Sequence, residues 1–271
     1  MSEGSDAGIV AVRRALSPHL RVLVARMVLI GGVIIGWQAI VSLGWVDRFW
    51  ISDPADIAAE LWRLARSGEL AGDVGLTVLE AAIAFVISSL LGIASGLVLA
   101  RAPFWDEVLA PLIVVLNSLP RIALAPLIIL WFGVGITAKV VTAFSLVYFI
   151  LLVNTLSGAK NVDHDILTIA RLMGASRRDM LWRVTLPSAA PWIFAGLSLG
   201  LTYSLLGVIV AEILSSNQGL GYLIANAAGN FNTAGVFAGL VVLAIVAWIF
   251  TYAMRKLENR VLRWKPSQQS G

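Results

Sequence analysis

Residues 158–187 read GAKNVDHDILTIARLMGASRRDMLWRVTLP. Ile166, Ile169, Ala170 and Met173 recur at i, i+3, i+4 and i+7, which gives a short helix one apolar face while Asp163, Asp165 and Arg171 stay polar. Gly174 ends that helix, because a glycine takes the left-handed conformation that closes a last turn and lets another backbone come near. Ser176 and Asp179 have the spacing of a capping box for a second short helix carrying Met180, Leu181 and Val184, which Leu186 and Pro187 are expected to stop. The stretch therefore predicts helix, sharp turn, helix, and it holds five basic residues, Lys160, Arg171, Arg177, Arg178 and Arg183. Apolar runs long enough to span a bilayer flank it on both sides, so it hangs outside the membrane between two spans.

The rest of the chain has the same character. Of 271 residues 59% are hydrophobic and 13% charged, and the mean hydropathy is +0.87. A soluble domain carries about 25% charged residues, and that deficit excludes an ordinary globular enzyme. Six spans are expected, roughly 27–46, 74–100, 107–133, 136–157, 187–214 and 235–254, making an all-α integral membrane protein. With the N-terminus inside, fifteen of the twenty Lys and Arg residues fall on the cytoplasmic side. Arg48, Arg63, Arg66 and Lys139 fall outside, and Arg121 lies within the third span. That asymmetry favours both termini in the cytoplasm of a multi-pass protein in a bacterial plasma (inner) membrane. Residues 1–26 form a cytoplasmic tail with no small-residue cleavage site, 27–264 the transmembrane domain and 265–271 a second tail.

Several chemistries are excluded. There is no cysteine, and His19 and His164 are far apart, so no metal site is expected. None of the four lysines follows a glycine, so the chain has no phosphate-cradling loop and its energy must come from elsewhere. The net charge of +4 comes from residues beside apolar spans rather than from one basic domain, which argues against nucleic acid.

Inside the membrane the third span is the expected translocation pathway. Pro120 and Pro126 remove backbone donors, and irregular backbone at that depth is tolerated where it lines protein or a watery cavity. Arg121 costs about 2.5 to 3.5 kcal/mol at a helix centre. It is read either as a snorkelling or internally paired arginine, or as a cationic site on the route of an anion. Glu80 and Glu212 lie near outer span ends and are read as interfacial or hydrogen-bonded, with a proton relay as the other reading. Glu212, Tyr148 and Tyr203 are further pathway candidates beside Pro120 and Arg121. Glycine pairs 32/36, 92/96, 196/200 and 235/239 favour close helix packing, within one subunit or against a second copy. Asp53, Pro54, Ile57, Leu61 and Leu64 predict a capped amphipathic helix on the outer face, packed on the membrane surface or used by an external partner.

At residues 168–187 the sequence resembles the permease subunits of binding-protein-dependent ATP-binding-cassette (ABC) importers. Thr168, Ile169 and Ala170, then Gly174, then Val184, Leu186 and Pro187 keep every spacing of their signature loop, with Thr168 where a glutamate is usual. Ser118-Leu119-Pro120, Trp131-Phe132-Gly133-Val134-Gly135, Gly174-Ala175-Ser176 and Gly219-Leu220-Gly221-Tyr222-Leu223-Ile224 look like the branch serving alkanesulfonates, taurine, nitrate and certain heterocyclic nutrients. The resemblance implies a type I ABC importer permease fold of six transmembrane helices, with a cytoplasmic coupling helix between helices 4 and 5. It implies that Thr168, Ile169, Ala170, Arg171, Met173, Gly174, Ala175, Ser176, Leu186 and Pro187 dock on an ATPase. The implied partners are a second permease copy in a homodimer, two cytoplasmic ATP-binding subunits that hold ATP and Mg, an extracytoplasmic solute-binding protein and the lipid bilayer. No cofactor and no covalent chemistry are implied for this chain. The competing class is an ATPase-independent secondary transporter or channel, against which the expected lack of mid-membrane carboxylates counts.

Overall fold

The computed structural model describes residues 18–263, and all its regular elements are helical. The N-terminal residues 1–17 and the expected C-terminal tail 265–271 lie outside the described residues. Helix α1 is Pro18–Ser42, followed by one turn at Arg48–Ile51. Then come α2 (Pro54–Ser67), α3 (Glu69–Ala100), α4 (Pro103–Ser118), α5 (Ala125–Phe132) and α6 (Ile136–Lys160). The chain continues with α7 (His164–Leu172), α8 (Leu186–Ser215), α9 (Leu220–Gly229) and α10 (Thr233–Val261). Five helices of the described residues are long and apolar enough to cross a membrane, and the bent pair Pro103–Ser118 and Arg121–Phe132 makes a sixth crossing if counted as one.

The centre of the bundle is α6, clasped between α3 and α8, and glycines set how close these helices come. A Cβ at Gly92 or Gly96 of α3 would lie 2.8 or 2.7 Å from the Cβ of Leu151 or Thr155 on α6. On α8, Gly196 faces Asn154 and Gly200 faces Val147 at 3.0 Å. These two pairs act within the chain, where bare backbone admits the neighbouring helix. Gly239 packs on Ile224 of α9, whereas a Cβ at Gly32 or Gly36 of α1 would meet nothing within 4 Å among the described residues. The buried core joins Ala81 and Ala84 of α3, Ala143 of α6 and Leu205, Val208 and Ile209 of α8 to Leu220 of α9 and Val246 of α10.

Two expectations need correction here. The third span is not one helix: it breaks after Ser118 and turns by 79°. Proline supplies no N–H and pushes the residue before it out of the helical region, and Leu119 accordingly has φ −64° and ψ 134°. A turn of 3₁₀-helix, Arg121–Leu124, restarts the chain, and Pro126 is harmless because it falls in the first turn of α5. Second, α2 is capped as expected, Asp53 accepting from the Asp56 amide at 2.8 Å with Pro54 opening the helix. Its buried residues Ile57 and Leu64 pack on Leu223, Ala238 and Phe237 of this chain rather than on a membrane surface.

Candidate functional site

The turn between α6 and α8 is built almost wholly by local chemistry. Asp163 caps α7 by accepting from the Asp165 amide at 2.8 Å. After Leu172 the chain closes at Gly174 (φ +79°), whose amide donates to Arg171 O at 3.0 Å while the Ala175 amide reaches Ala170 O at 3.0 Å. Ser176 and Asp179 then form the reciprocal capping box, the Asp179 amide donating to Ser176 Oγ at 3.2 Å and the Ser176 amide to Asp179 Oδ2 at 3.3 Å. Ile166 and Ile169 are exposed, and Leu172 and Met173 are 83% and 82% exposed, so the apolar face points away from the bundle. Thr168, Arg171 and Ser176 are exposed beside it, with Ala170 and Ala175 half-buried. An apolar cluster of this kind, rimmed by polar residues at the tip of a turn, marks a surface made to be covered.

Leu186 and Pro187 do not stop the second helix. The apolar helical stretch runs unbroken from Arg177 to Ser215, with a π-helical segment at Met180–Thr185 just before the proline. The wider turn takes up the carbonyls that Pro187, having no N–H, cannot serve, and the proline sits in the first turn of α8. The turn closed by Gly174 therefore leads, from Arg177, directly into a span-length apolar helix.

The five pathway candidates do not form one site. Pro120 is exposed at the break of the third span. Arg121 is buried at 7% exposure and its guanidinium donates to Ser145 O at 2.5 Å and to Leu116 O at 2.7 Å. It also lies 4.1 Å over the Phe149 ring. Of the two readings of Arg121, this geometry supports internal pairing: the charge ties the break to α6. Tyr148 belongs to the same neighbourhood, stacked on Phe144, edge-to-face with Phe149 and donating to Ser95 Oγ at 3.0 Å. Tyr203 is 39% exposed near the middle of α8, and Glu212 lies nine residues further on, close to the end of that helix.

Glu212 belongs to a cluster that sequence reasoning missed. Lys139, expected among the outer charges, is 4% exposed, and Glu80 and Glu212, expected near the interface, are fully buried. Lys139 Nζ lies 2.9 Å from Glu80 Oε1 and 3.8 Å from Glu212 Oε1. The two carboxylates are thus buried and partnered rather than interfacial, Glu212 by hydrogen bonds near the end of α8 and Glu80 by the Lys139 ammonium. Thr77 donates to Glu212 Oε1 at 2.8 Å, and the Leu220 amide donates to Thr77 Oγ1 at 2.9 Å. The Gly221 amide donates to Glu212 Oε2 at 2.7 Å and the Gly219 amide to Asp73 Oδ1 at 2.7 Å. One lysine faces two carboxylates, and the N-terminus of α9 adds the Gly221 and Leu220 amides as donors to Glu212 and Thr77. The segment Gly219–Ile224 is in this way pinned to α3 and α8. Lys139, in the first turn of an otherwise apolar span, was the available signal, since a charge there needs a partner.

Gly219 illustrates the tolerance: it has φ +106°, and a Cβ would stand 2.1 Å from Glu212 Oε1. Gly219→Ala is expected to lower the midpoint of thermal unfolding, combining backbone strain with displacement of Glu212 and costing about 2 to 4 kcal/mol in all. A detergent melting curve matching that of the parent chain would contradict this account of the loop. Nearby, α2, the start of α3, α9 and the start of α10 line a polar cleft of about 310 Å³. Arg63 grips Glu60 there through bonds of 2.7 and 2.8 Å and holds its carboxyl below the usual range.

Residues 88–263 match the family described as binding-protein-dependent transport system inner membrane component. A protein of Bacillus subtilis (strain 168), named as an aliphatic sulfonates transport permease, is 32% identical over 233 residues, covering 86% of this chain and 84% of that one. The riboflavin transport system permease protein of Chloroflexus aurantiacus is 32% identical over 235 residues, 87% of this chain and 88% of its own length. Among solved structures, an inward-facing MetNI methionine ABC transporter superposes with a TM-score of 0.65 at 16% identity, covering 73% of this chain and 98% of that chain, a likeness of fold. A helical bundle of five or six apolar spans, with a glycine-closed turn left uncovered between two of them, thus has the sequence and the shape of a known kind of subunit: the chain belongs to the inner-membrane permease components of binding-protein-dependent ABC importers, in the branch that includes the aliphatic sulfonate-type permeases.

Proposed function

We propose that the chain forms, with a second copy of itself, the path through which an ATP-driven importer moves a small organic or inorganic anion of the sulfonate, taurine or nitrate type. The observation that carries the ATP-driven part is the uncovered apolar face Ile166, Ile169, Leu172 and Met173 around Gly174. In this reading it docks into a cleft of a cytoplasmic ATPase that holds ATP and Mg, two such chains serving the dimer. Apolar contact supplies the affinity, and Arg171, Arg177 and Arg178 orient the turn against an acidic surface. Because the turn leads directly into α8, ATPase closure moves that helix, opens the far side of the path and admits the solute from an extracytoplasmic binding protein. Both termini and the docking turn then face the cytoplasm. Kinship with the aliphatic sulfonates permease supports the anion class.

The test is reconstitution of the chain with its ATPase and binding protein in proteoliposomes, followed by uptake of labelled taurine or an alkanesulfonate. Uptake that requires ATP and is blocked by vanadate is the expected result, and uptake indifferent to both would reject ATP coupling. Arg121 has its own test. Arg121→Ala removes hydrogen bonds from a charged donor, each worth about 1.5 to 3 kcal/mol, and so should lower both thermal stability and uptake. If melting and uptake both stay as before, Arg121 is neither the tie at the break nor part of the path.

A further inference from the structure

Helix α10 carries one continuous stripe. Val241, Ile245, Trp248, Tyr252, Lys256 and Arg260 recur at i, i+4, i+7, i+11, i+15 and i+19, the spacing of residues that share one face, and Arg263 follows just past the end of the helix. All seven are exposed, and Trp248 and Tyr252 stack at 5.9 Å between ring centroids. Below the aromatic pair the stripe becomes cationic and opens into a groove of about 620 Å³ lined by Tyr252, Arg255, Lys256, Asn259, Arg260 and Arg263. Among the described residues none of these four cations lies in a salt bridge. Like charges at i and i+4, as at Lys256 and Arg260, repel one another unless an anion sits between them.

The dimensions single out the anion. From Val241 to Tyr252 the helix rises about 16 Å, roughly half of a hydrocarbon core about 30 Å thick. That is one leaflet, and it ends at an amphipathic aromatic pair of the kind found at headgroup level. The cations begin one turn further on. Basic residues that served only to orient the chain would need number, not alignment beneath an apolar stripe one leaflet long.

We propose that this stripe is a binding site for an anionic phospholipid of the leaflet on the side of the 158–186 turn. An acyl chain lies along Val241, Ile245 and Trp248, and the phosphodiester is held by Lys256, Arg260 and Arg263 with Asn259 as a neutral donor. The site rests only on the chain spanning a bilayer, and its test uses neither solute nor ATP, so its outcome is separate from that of the transport reading.

The full chain, purified in neutral detergent, is titrated with phosphatidylglycerol and with phosphatidylcholine, and bound lipid is counted by native mass spectrometry. Wild type should prefer phosphatidylglycerol by tenfold or more. The triple variant Lys256→Gln, Arg260→Gln, Arg263→Gln should lose affinity for it on the order of 100-fold, while keeping its weak binding of phosphatidylcholine. Equal binding of the two lipids by wild type, which requires no variant to fold, would overturn the proposal. So would an unaltered preference in the triple variant. Displacement of the lipid by millimolar inorganic phosphate would make this a small-anion site instead. Loss of ATPase co-purification in the triple variant, with lipid preference intact, would make it a protein-docking surface.

Discussion

Gly174→Val should leave the chain folded and membrane-inserted yet cut solute-stimulated ATP hydrolysis and uptake by about tenfold or more. The backbone at Gly174 has φ +79°, a conformation that costs an L-residue about 1 to 2 kcal/mol. A β-branched side chain adds to that cost, because its stiff χ1 is poorly suited to the left-handed region. Among the described residues no atom beyond the adjoining ones lies within 4 Å of a Cβ built there, so the fold itself has room for the substituent. The penalty falls on the turn that aims Leu172 and Met173, and on whatever must approach that bare backbone. Gly174→Ala should lie between the two, since it carries the conformational cost with less bulk. Uptake and ATPase rates measured on the reconstituted complex decide it. Parent-like rates for the valine variant would mean that the turn is only a linker.

The second large effect is expected at the buried charge cluster. Lys139→Met leaves Glu80 and Glu212, both fully buried, without the cation that separates them. Breaking a buried pair by removing one partner costs about 3 to 5 kcal/mol. Because Glu212 also receives the Gly221 amide and the Thr77 hydroxyl, the damage should spread to the Gly219–Ile224 segment. The double variant Lys139→Met with Glu80→Gln should recover much of the loss, since it removes a carboxylate together with its cation. Thermal unfolding in detergent measures both. A single variant as stable as the parent, or a double variant no better than the single one, would show that the cluster does not hold these helices together.

What could be read in advance follows the range of the interactions. The cap at Asp53, the Gly174 turn and the Ser176–Asp179 box involve residues within five positions of one another, and they stand in the structure as their spacing implied. The positions of the apolar spans were legible for a similar reason, because a helix in lipid must satisfy its own backbone and needs an apolar run long enough to cross. Pro187 was misread although the signal was local. A proline ends a helix only where no neighbouring turn can absorb the unserved carbonyls, and the π-segment at Met180–Thr185 does so. The break at Leu119-Pro120 was legible as a disturbance, but its 79° turn was not. That angle depends on Arg121 reaching Ser145 and Leu116, 24 residues ahead and five behind.

The sequence by itself determined a helical membrane protein with a glycine-closed turn between two spans, and the family resemblance that goes with it. Only the tertiary structure decided that Lys139 is an interior charge joined to Glu80 and Glu212, that Arg121 is spent on carbonyls of α6, and that α2 rests on protein. The difference has a physical cause. Helices, caps and turns are set by neighbours along the chain, whereas the partner of a buried charge comes from another helix. Glu80 and Lys139 are 59 positions apart, Thr77 and Glu212 135 positions, and no pattern within one helix specifies which of its faces will meet the other.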